Sequence, residues 1–366
     1  MKSIVAALLL LAGATRASAQ EAASVYQTQK SSFGFHLDSV ARQEWTEEIF
    51  VSSTETRAED RRLFRIRPRL EFGGDKFKLG AGGEFNYGSD ENVNPKPSLL
   101  RDNYDSREAR VDLAFARLEP TRWLRLEGGR FVMPAAVTEM TWDKDLRPQG
   151  GALTLQHKDD KGVARYGLTG LWAKGSHVFE DKDTDLLLGS AQLTFPGQSD
   201  SSLQLLGSFF YWREVQRLEP MIRRQNSRVL GELTRDYHVV DLVARVRTAS
   251  QTPVQLVANY CWNTAVKSDN KGLWLAGVLG SLATSRVRAE YTFAKVDKDA
   301  TLAAFGTDDF FWVTGWTGHR AELASKTSEK TSVAVVGQLQ RFKDSPRPEE
   351  REHWVKRYRV EFRANY

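Results

Sequence analysis

Strict alternation of apolar and polar side chains in short runs is the feature that most constrains this sequence. In residues 64–72, Phe64, Ile66 and Leu70 alternate with charged residues, and residues 357–366 divide in the same way. A period of two places each set on one face of a β-strand. Sixteen such runs occur, near residues 32–45, 61–73, 76–87, 108–118, 122–133, 150–158, 163–173, 185–195, 201–213, 236–248, 253–263, 271–281, 285–295, 313–324, 330–342 and 353–366.

The connections between these runs alternate in length. Short turns, such as residues 74–75 and 119–121, are followed by longer segments, such as 88–107 and 214–235, that are richer in charge, Asn and Pro. Short periplasmic turns and long external loops are typical of outer-membrane barrels. We therefore predict an all-β fold: a transmembrane antiparallel β-barrel of about sixteen strands over residues 32–366. A soluble periplasmic β-protein remains an alternative, because its strands would also have one apolar face.

The amino terminus has the pattern of an export signal. Lys2 precedes an apolar run, and Ala17-Ser18-Ala19 matches an A-x-A cleavage site. We predict a signal peptide over residues 1–19, cleaved after Ala19, a short periplasmic extension over residues 20–31, and an outer-membrane location. An amino-terminal anchor helix is the alternative. A mean hydropathy of −0.47 with 27% charged residues excludes a helical membrane protein.

If the apolar faces meet lipid, the charged faces line the lumen. So many charges cannot fill a dry core, because an unpaired buried charge costs several kcal/mol, whereas a sixteen-strand barrel holds water. The predicted pore-lining residues are Arg65, Arg67, Arg69, Glu71, Glu84, Arg110, Asp112, Arg125, Glu127, Asp241, Arg245, Arg288, Glu290, Arg320, Glu322, Arg359, Glu361 and Arg363. Their arginine excess suggests a mild anion preference. Alternatively, neighbouring arginines and acids pair as a ladder that stiffens the wall.

The predicted loop over residues 134–149 carries apolar side chains that are unusual in a solvated loop, among them Trp142. We predict that it folds inward, docks Trp142 on the wall and constricts the pore. Glu139, Asp143 and Asp145 would then face the arginines that are predicted to line the lumen, such as Arg65, Arg67 and Arg69. The alternative is an external loop packed against its neighbours.

The segment from Leu118 to Gly150 resembles the putative porin family of Gram-negative outer membranes. It contains Trp123-Leu-Arg-Leu-Glu-Gly-Gly-Arg130-Phe131, followed by Pro134 and by Trp142-Asp143. Residues 307–319 are similar to a late family segment, and the layout is also similar to that of the phosphate-selective porins. The resemblance implies passive diffusion of small hydrophilic solutes, and it is compatible with a homotrimer. The inward set lacks the lysine ladder of phosphate-selective porins, which argues against phosphate specificity.

The expected partners are the lipid bilayer, lipopolysaccharide, small hydrophilic solutes and, through the terminal Tyr366, the barrel-insertion machinery. Scattered charges without a basic cluster give no sign of nucleic-acid binding. No metal motif or nucleotide fingerprint is present, so no cofactor is predicted. The six histidines are dispersed, and we predict no enzymatic activity. A barrel enzyme and a non-conducting adhesin or assembly barrel remain the alternatives.

Overall fold

The alternating runs form consecutive antiparallel hairpins in the computed structural model. The structure describes residues 32–50, 56–88, 109–159, 163–175, 184–197, 201–218, 226–230, 232–233, 237–307, 309–310, 313–345 and 348–366. The predicted signal peptide and the extension over residues 20–31 lie outside the described residues. In the described part of the chain, no helix has the length and apolar character needed to cross a membrane.

Sixteen of the described strands form the main sheet, and two short ones form a separate hairpin. The main strands are β1 (Ser32–Phe50), β2 (Thr56–Gly73), β3 (Phe77–Gly88), β4 (Ala109–Thr121), β5 (Leu124–Arg130), β6 (Gln149–Lys158), β7 (Ala164–Gly175), β8 (Thr184–Pro196), β9 (Ser202–Arg213), β12 (Tyr237–Arg247), β13 (Val254–Asn263), β14 (Lys271–Gly280), β15 (Val287–Val296), β16 (Trp316–Lys326), β17 (Thr331–Phe342) and β18 (Val355–Asn365). The hairpin is β10 (Arg228–Val229) and β11 (Glu232–Leu233).

Each strand of the main sheet pairs with its neighbour in sequence, and β1 pairs with β18 to close a barrel. In the closing register, Asp38 faces Asn365 and Glu47 faces Lys356. Within the described residues, closure leaves the main sheet without an unpaired edge strand. The connections follow the predicted alternation: residues 74–76 and 327–330 are short turns on one rim, whereas residues 131–148 and 297–315 are long loops on the other. The predicted fold class is confirmed.

The two faces of the wall differ in character. Large apolar side chains cover the outside, among them Phe72, Trp123 and Tyr166 near the short-turn rim and Tyr87 and Trp172 near the long-loop rim. Charged side chains are buried on the inside. The orientation predicted from the period of two is therefore the one observed.

Three segments differ from the predicted boundaries. Residues 46–60 were expected to form a loop, but β1 extends to Phe50 and β2 begins at Thr56, because the ladder continues past a bulge between Thr46 and Ile49. The predicted strand over residues 122–133 ends at Arg130. Gly129 has a φ of 109°, and a Cβ there would lie 2.2 Å from a backbone oxygen, so only glycine allows the chain to turn inward at this point. The last long connection also contains a short helix, α1 (Pro348–Glu352).

Candidate functional site

A stripe of arginines runs along the inner wall on both sides of β1. Arg65, Arg67 and Arg69 occupy alternate positions of β2, and Arg359 and Arg363 lie four residues apart on the inner face of β18. Because β2 and β18 both pair with β1, these two rows lie about 10 Å apart, which is two strand spacings. The period of two places these arginines on the inner face. The pairing of β1 with both β2 and β18 then brings the two rows, which are distant in sequence, to the same part of the wall.

Carboxylates within the wall pair with most of this stripe. Arg42 on β1 lies 2.8 Å from Glu361, Arg363 also contacts Glu361, and Arg359 contacts Glu44. The neighbouring pairs are Arg69 with Glu71, Arg67 and Arg110 with Glu84, Arg147 with Asp112, and Arg117 and Arg125 with Glu127. The inner wall therefore carries a dense ladder of ion pairs, as the second interpretation of the sequence expected.

A second group of charges lies on β15 and β16. Arg288 contacts Glu290 and lies 3.1 Å from Glu322, and Arg320 contacts the same two acids. Arg363 joins this group at 2.9 Å from Glu322. These pairs continue the ladder around the lumen from the arginine stripe.

Asp241 and Arg245 on β12 stand apart from both groups. Asp241 accepts a hydrogen bond from Asn259 at 2.6 Å. Arg245 donates to the Gln204 side chain at 2.9 Å and to the backbone oxygen of Val137 at 3.0 Å. Arg245 therefore contacts a loop segment rather than another charge.

Residues 131–148, between β5 and β6, lie inside the barrel, and we call them the first inward loop. Asp145 contacts two arginines of the stripe, at 2.8 Å from both Arg65 and Arg67. Two other acids of the loop have different partners: Glu139 lies 3.2 Å from Lys144, and the Asp143 carboxylate accepts the backbone N–H of Asp145 at 2.7 Å. Asp145 is thus the loop acid that forms ion pairs with the stripe.

Trp142 anchors the first inward loop in a buried aromatic stack. Its ring is parallel to that of Trp212 on β9 at 6.0 Å and lies 5.6 Å from the ring of Phe305. Its indole N–H donates to the Leu146 backbone oxygen. Nearby, Met140 packs against Gly272 on β14, where a Cβ would come within 2.8 Å of the Met140 sulfur. Aromatic and close-packed contacts therefore hold the loop against the wall.

The described residues between β15 and β16, which are 297–307, 309–310 and 313–315, also enter the barrel, and sequence reasoning missed them. We call this segment the second inward loop. Leu302 and Phe305 are fully buried. The signal that identified the first inward loop is present here too: Leu302, Phe305 and Phe310 are apolar residues in a segment predicted to be a solvated connection.

The two inward loops are joined to each other. Lys144 of the first loop lies 2.5 Å from Asp309 of the second loop. The Thr307 backbone N–H donates to the Glu139 backbone oxygen at 2.8 Å. Asp309 also lies 2.8 Å from Arg359 of the wall. The first inward loop is thus tied to the wall directly, by ion pairs of Asp145 and Arg147, and also through the second inward loop.

A cavity of about 500 Å³ remains below the two loops, towards the short-turn rim. Thr138, Glu139, Lys144 and Asp309 of the loops line it, together with wall residues of both signs. Its cationic lining residues are Arg42, Arg65, Lys144, Arg245, Arg288, Arg320 and Arg363, and its acidic ones are Glu139, Glu290, Asp309, Glu322 and Glu361. Cations thus exceed acids in this lining by seven to five.

The charges around the loops shift the pKa values of the loop acids. Burial alone would raise the pKa of Asp145, but the two arginines of the stripe outweigh burial and hold this pKa well below its usual value of 3.8. Burial would also raise the pKa of Asp309, and Lys144 and Arg359 hold it well below the same value. The acids that tie the loops to the wall therefore stay ionised under mildly acidic conditions.

Glu139 behaves in the opposite way. Its enclosed position raises its pKa against the opposing effect of Lys144.

Among the described residues, no group of three or more His, Cys, Asp or Glu side chains could hold a metal ion.

The model of a family described as "Putative porin" matches residues 19–198, close to half of the chain. Over these residues the chain is similar to the putative porin family. The match contains the segment from Leu118 to Gly150 and confirms the resemblance found there. It does not reach residues 307–319, whose family resemblance stays a prediction. A search of curated proteins found no match.

Solved structures share the fold of this barrel at low sequence identity. OmpF of Salmonella typhi, solved in complex with daunomycin, has a TM-score of 0.55 and 12% identity, covering 93% of this chain and 99% of its own. OccAB1 of Acinetobacter baumannii has a TM-score of 0.53 and 9% identity, covering 93% and 99%. A mutant of the Rh. blastica porin has a TM-score of 0.51 and 9% identity, covering 92% and 100%. The likeness extends along nearly the whole barrel and establishes its fold.

Proposed function

We propose that the chain is an outer-membrane porin through which small hydrophilic solutes diffuse passively, without enzymatic activity. The opposite character of the two faces of a closed barrel carries this proposal. The exposed apolar side chains outside suit acyl chains, and the paired charges inside suit water. The family match over residues 19–198 supports the same conclusion.

We propose that the two inward loops form the constriction of this pore. The supporting contacts are the ion pairs from Asp145 to Arg65 and Arg67, which place a loop acid against the arginine stripe. A loop held against the wall in this way narrows the passage, and the charged groups that line the remaining opening act on solutes that carry charge or a dipole.

A mild anion preference is part of the proposal. Most wall arginines are paired with acids, which lowers their net attraction for anions. The lining of the cavity nevertheless retains the excess of cations over acids described above. Because the pairs cancel most of the field, the expected preference is small.

Planar-bilayer recording of the refolded protein tests this function directly. Defined single-channel conductance steps and a reversal potential of anion-selective sign in a salt gradient are expected. Joint substitution of Arg65, Arg67 and Arg69 by Gln should shift the reversal potential towards cations. Absence of conductance from a correctly folded barrel would favour the non-conducting adhesin or assembly barrel. An unchanged reversal potential in the triple variant would show that these three arginines do not contribute to ion selectivity.

The location is also a proposal. We propose cleavage after Ala19 and insertion into the outer membrane beside lipopolysaccharide, with Tyr366 read by the insertion machinery. Tyr366 is exposed on the short-turn rim, where its backbone pairs with that of Leu37. Amino-terminal sequencing of protein from the outer-membrane fraction should begin at Gln20. Recovery of the intact amino terminus would contradict cleavage, and recovery from the soluble fraction would contradict the location.

A further inference from the structure

The inner wall changes character between β12 and β15. Around the cavity below the inward loops, most of the lining is charged, but Val257 on β13 and Ala276 and Val278 on β14 form an apolar patch. The strand registers place these residues side by side: Val257 faces Ala276, and Val278 neighbours Gln255. Trp274 and Phe310 extend the patch towards the loops. An apolar patch in a water-filled lumen can stabilise the apolar part of a solute by removing it from water.

Arg245 borders this patch on one side. It faces Val257 directly in the register of β12 and β13 and lines the same cavity. A guanidinium group has five N–H donors, and two hydrogen bonds, to Gln204 and to Val137, occupy two of them here. Among the described residues, no carboxylate forms an ion pair with Arg245. A half-buried cation thus retains donors beside an apolar surface.

The opposite border of the patch is the charged group of β15 and β16. Val278 faces Glu290, which contacts Arg288 and Arg320. From β12 to β15 there are three strand spacings, or about 14 Å. The arginines on that side are neutralised by their acids, so Arg245 is the cation best placed to receive an anion at the patch.

We propose that this cavity is a binding site for small organic carboxylates that have an apolar body. The carboxylate pairs with Arg245, and the apolar body lies on Val257, Ala276 and Val278. Arginine suits a carboxylate because its planar fork of donors matches the two carboxylate oxygens. This site rests on the proposed porin function and specifies the class of solute that the pore would retain during passage.

Current block in planar bilayers tests the site, with benzoate as the probe. Acetate has the same charge without the apolar body, and benzamide has a similar ring without the charge. We expect benzoate to interrupt the KCl current reversibly, with a half-blocking concentration at least tenfold below those of acetate and benzamide. Benzoate that blocks no better than acetate would overturn the proposed site while leaving the porin function intact.

Variants separate the two parts of the site. Arg245→Gln should raise the half-blocking concentration of benzoate at least tenfold, and Arg245→Lys should restore part of the block. Val278→Ser should raise it severalfold without changing charge. Arg247→Gln is the matched control: Arg247 lies two residues further along β12, outside the cavity lining, and benzoate block should stay unchanged.

Arg245 also contacts the first inward loop through Val137, so its substitution could move the loop. A changed KCl conductance in Arg245→Gln would reveal such movement. In that case Val278→Ser provides the test, because Val278 lies on β14 and its substitution leaves the contact between Arg245 and Val137 in place. Benzoate block unaffected in Val278→Ser would contradict the site. If the wild-type barrel carries no current, the porin function and the site both fail; if it carries current without selective benzoate block, only the site fails.

Discussion

Lys144 of the first inward loop donates a hydrogen bond to Asp309 of the second inward loop, with 2.5 Å between Nζ and Oδ2. Asp309 also accepts from Arg359 of the wall at 2.8 Å. One carboxylate therefore joins two loops and one strand that are far apart in sequence. The position of the first inward loop depends on the second, and both are expected to determine the width of the pore.

Breaking this link should widen the passage. We expect Lys144→Gln to raise single-channel conductance moderately, and deletion of residues 137–146 to raise it about twofold, because a wider bore conducts more ions. The matched control is Lys174→Gln, which removes an ion pair with Asp185 at 2.6 Å between strands β7 and β8, on the long-loop rim. Unchanged conductance in the deletion variant would show that the first inward loop does not constrict the pore.

Asp145→Asn should make the pore more anion-selective. The substitution leaves Arg65 and Arg67 without the loop carboxylate that now pairs with both of them. Their positive charge would then act on ions in the lumen, and the reversal potential should shift towards anions. Asp185→Asn makes the same charge change at the rim and should leave selectivity unchanged. A shift towards cations in Asp145→Asn would contradict this account of the field.

Trp142→Ala should loosen the first inward loop. Loss of a buried tryptophan typically costs about 3–5 kcal/mol, and here the change removes the stack with Trp212 and Phe305. Limited trypsin digestion of the folded barrel should then cleave after Lys144, which is expected to be protected in the wild type.

Trp172→Ala is the control for this cleavage, since Trp172 lies on the outer face and is 57% exposed. This variant should be no more sensitive to trypsin than the wild type. Equal protection of Trp142→Ala and the wild type would mean that the stack does not hold the loop.

The loops should stay docked in mild acid. The pKa values of Asp145 and Asp309 lie well below 3.8. The ion pairs of these acids therefore stabilise the docked state fully above that pH, and the stabilisation is lost as the pH falls through their lowered pKa values in the folded protein. Conductance should therefore be the same at pH 7 and at about pH 4, and it should rise only in stronger acid.

In Asp145→Asn, the acid-induced rise should be smaller, because one of the titrating carboxylates is absent. A rise in wild-type conductance between pH 6 and 4 would contradict the assigned direction of these pKa values. Recording one channel across a pH series in symmetrical KCl provides the measurement.

Local sequence determined the wall of this protein. Because side chains alternate across a strand, the order of residues such as Phe64, Arg65 and Ile66 determines which face each occupies, and all sixteen barrel strands were predicted within a few residues apart from the long β1–β2 hairpin. The apolar content of residues 134–149 also indicated that this segment folds inward. These signals are local, and each can be detected in a short window of sequence.

Tertiary structure alone decided which charges meet and what lies inside the barrel. The pairing of Glu44 with Arg359 requires closure of β1 on β18, and the contact of Lys144 with Asp309 requires two loops that are distant in sequence to enter the same lumen. No local pattern encodes such contacts, because they depend on the register and closure of the whole sheet. The apolar patch beside Arg245 has the same origin: its residues lie on three strands and become one surface only when those strands pair.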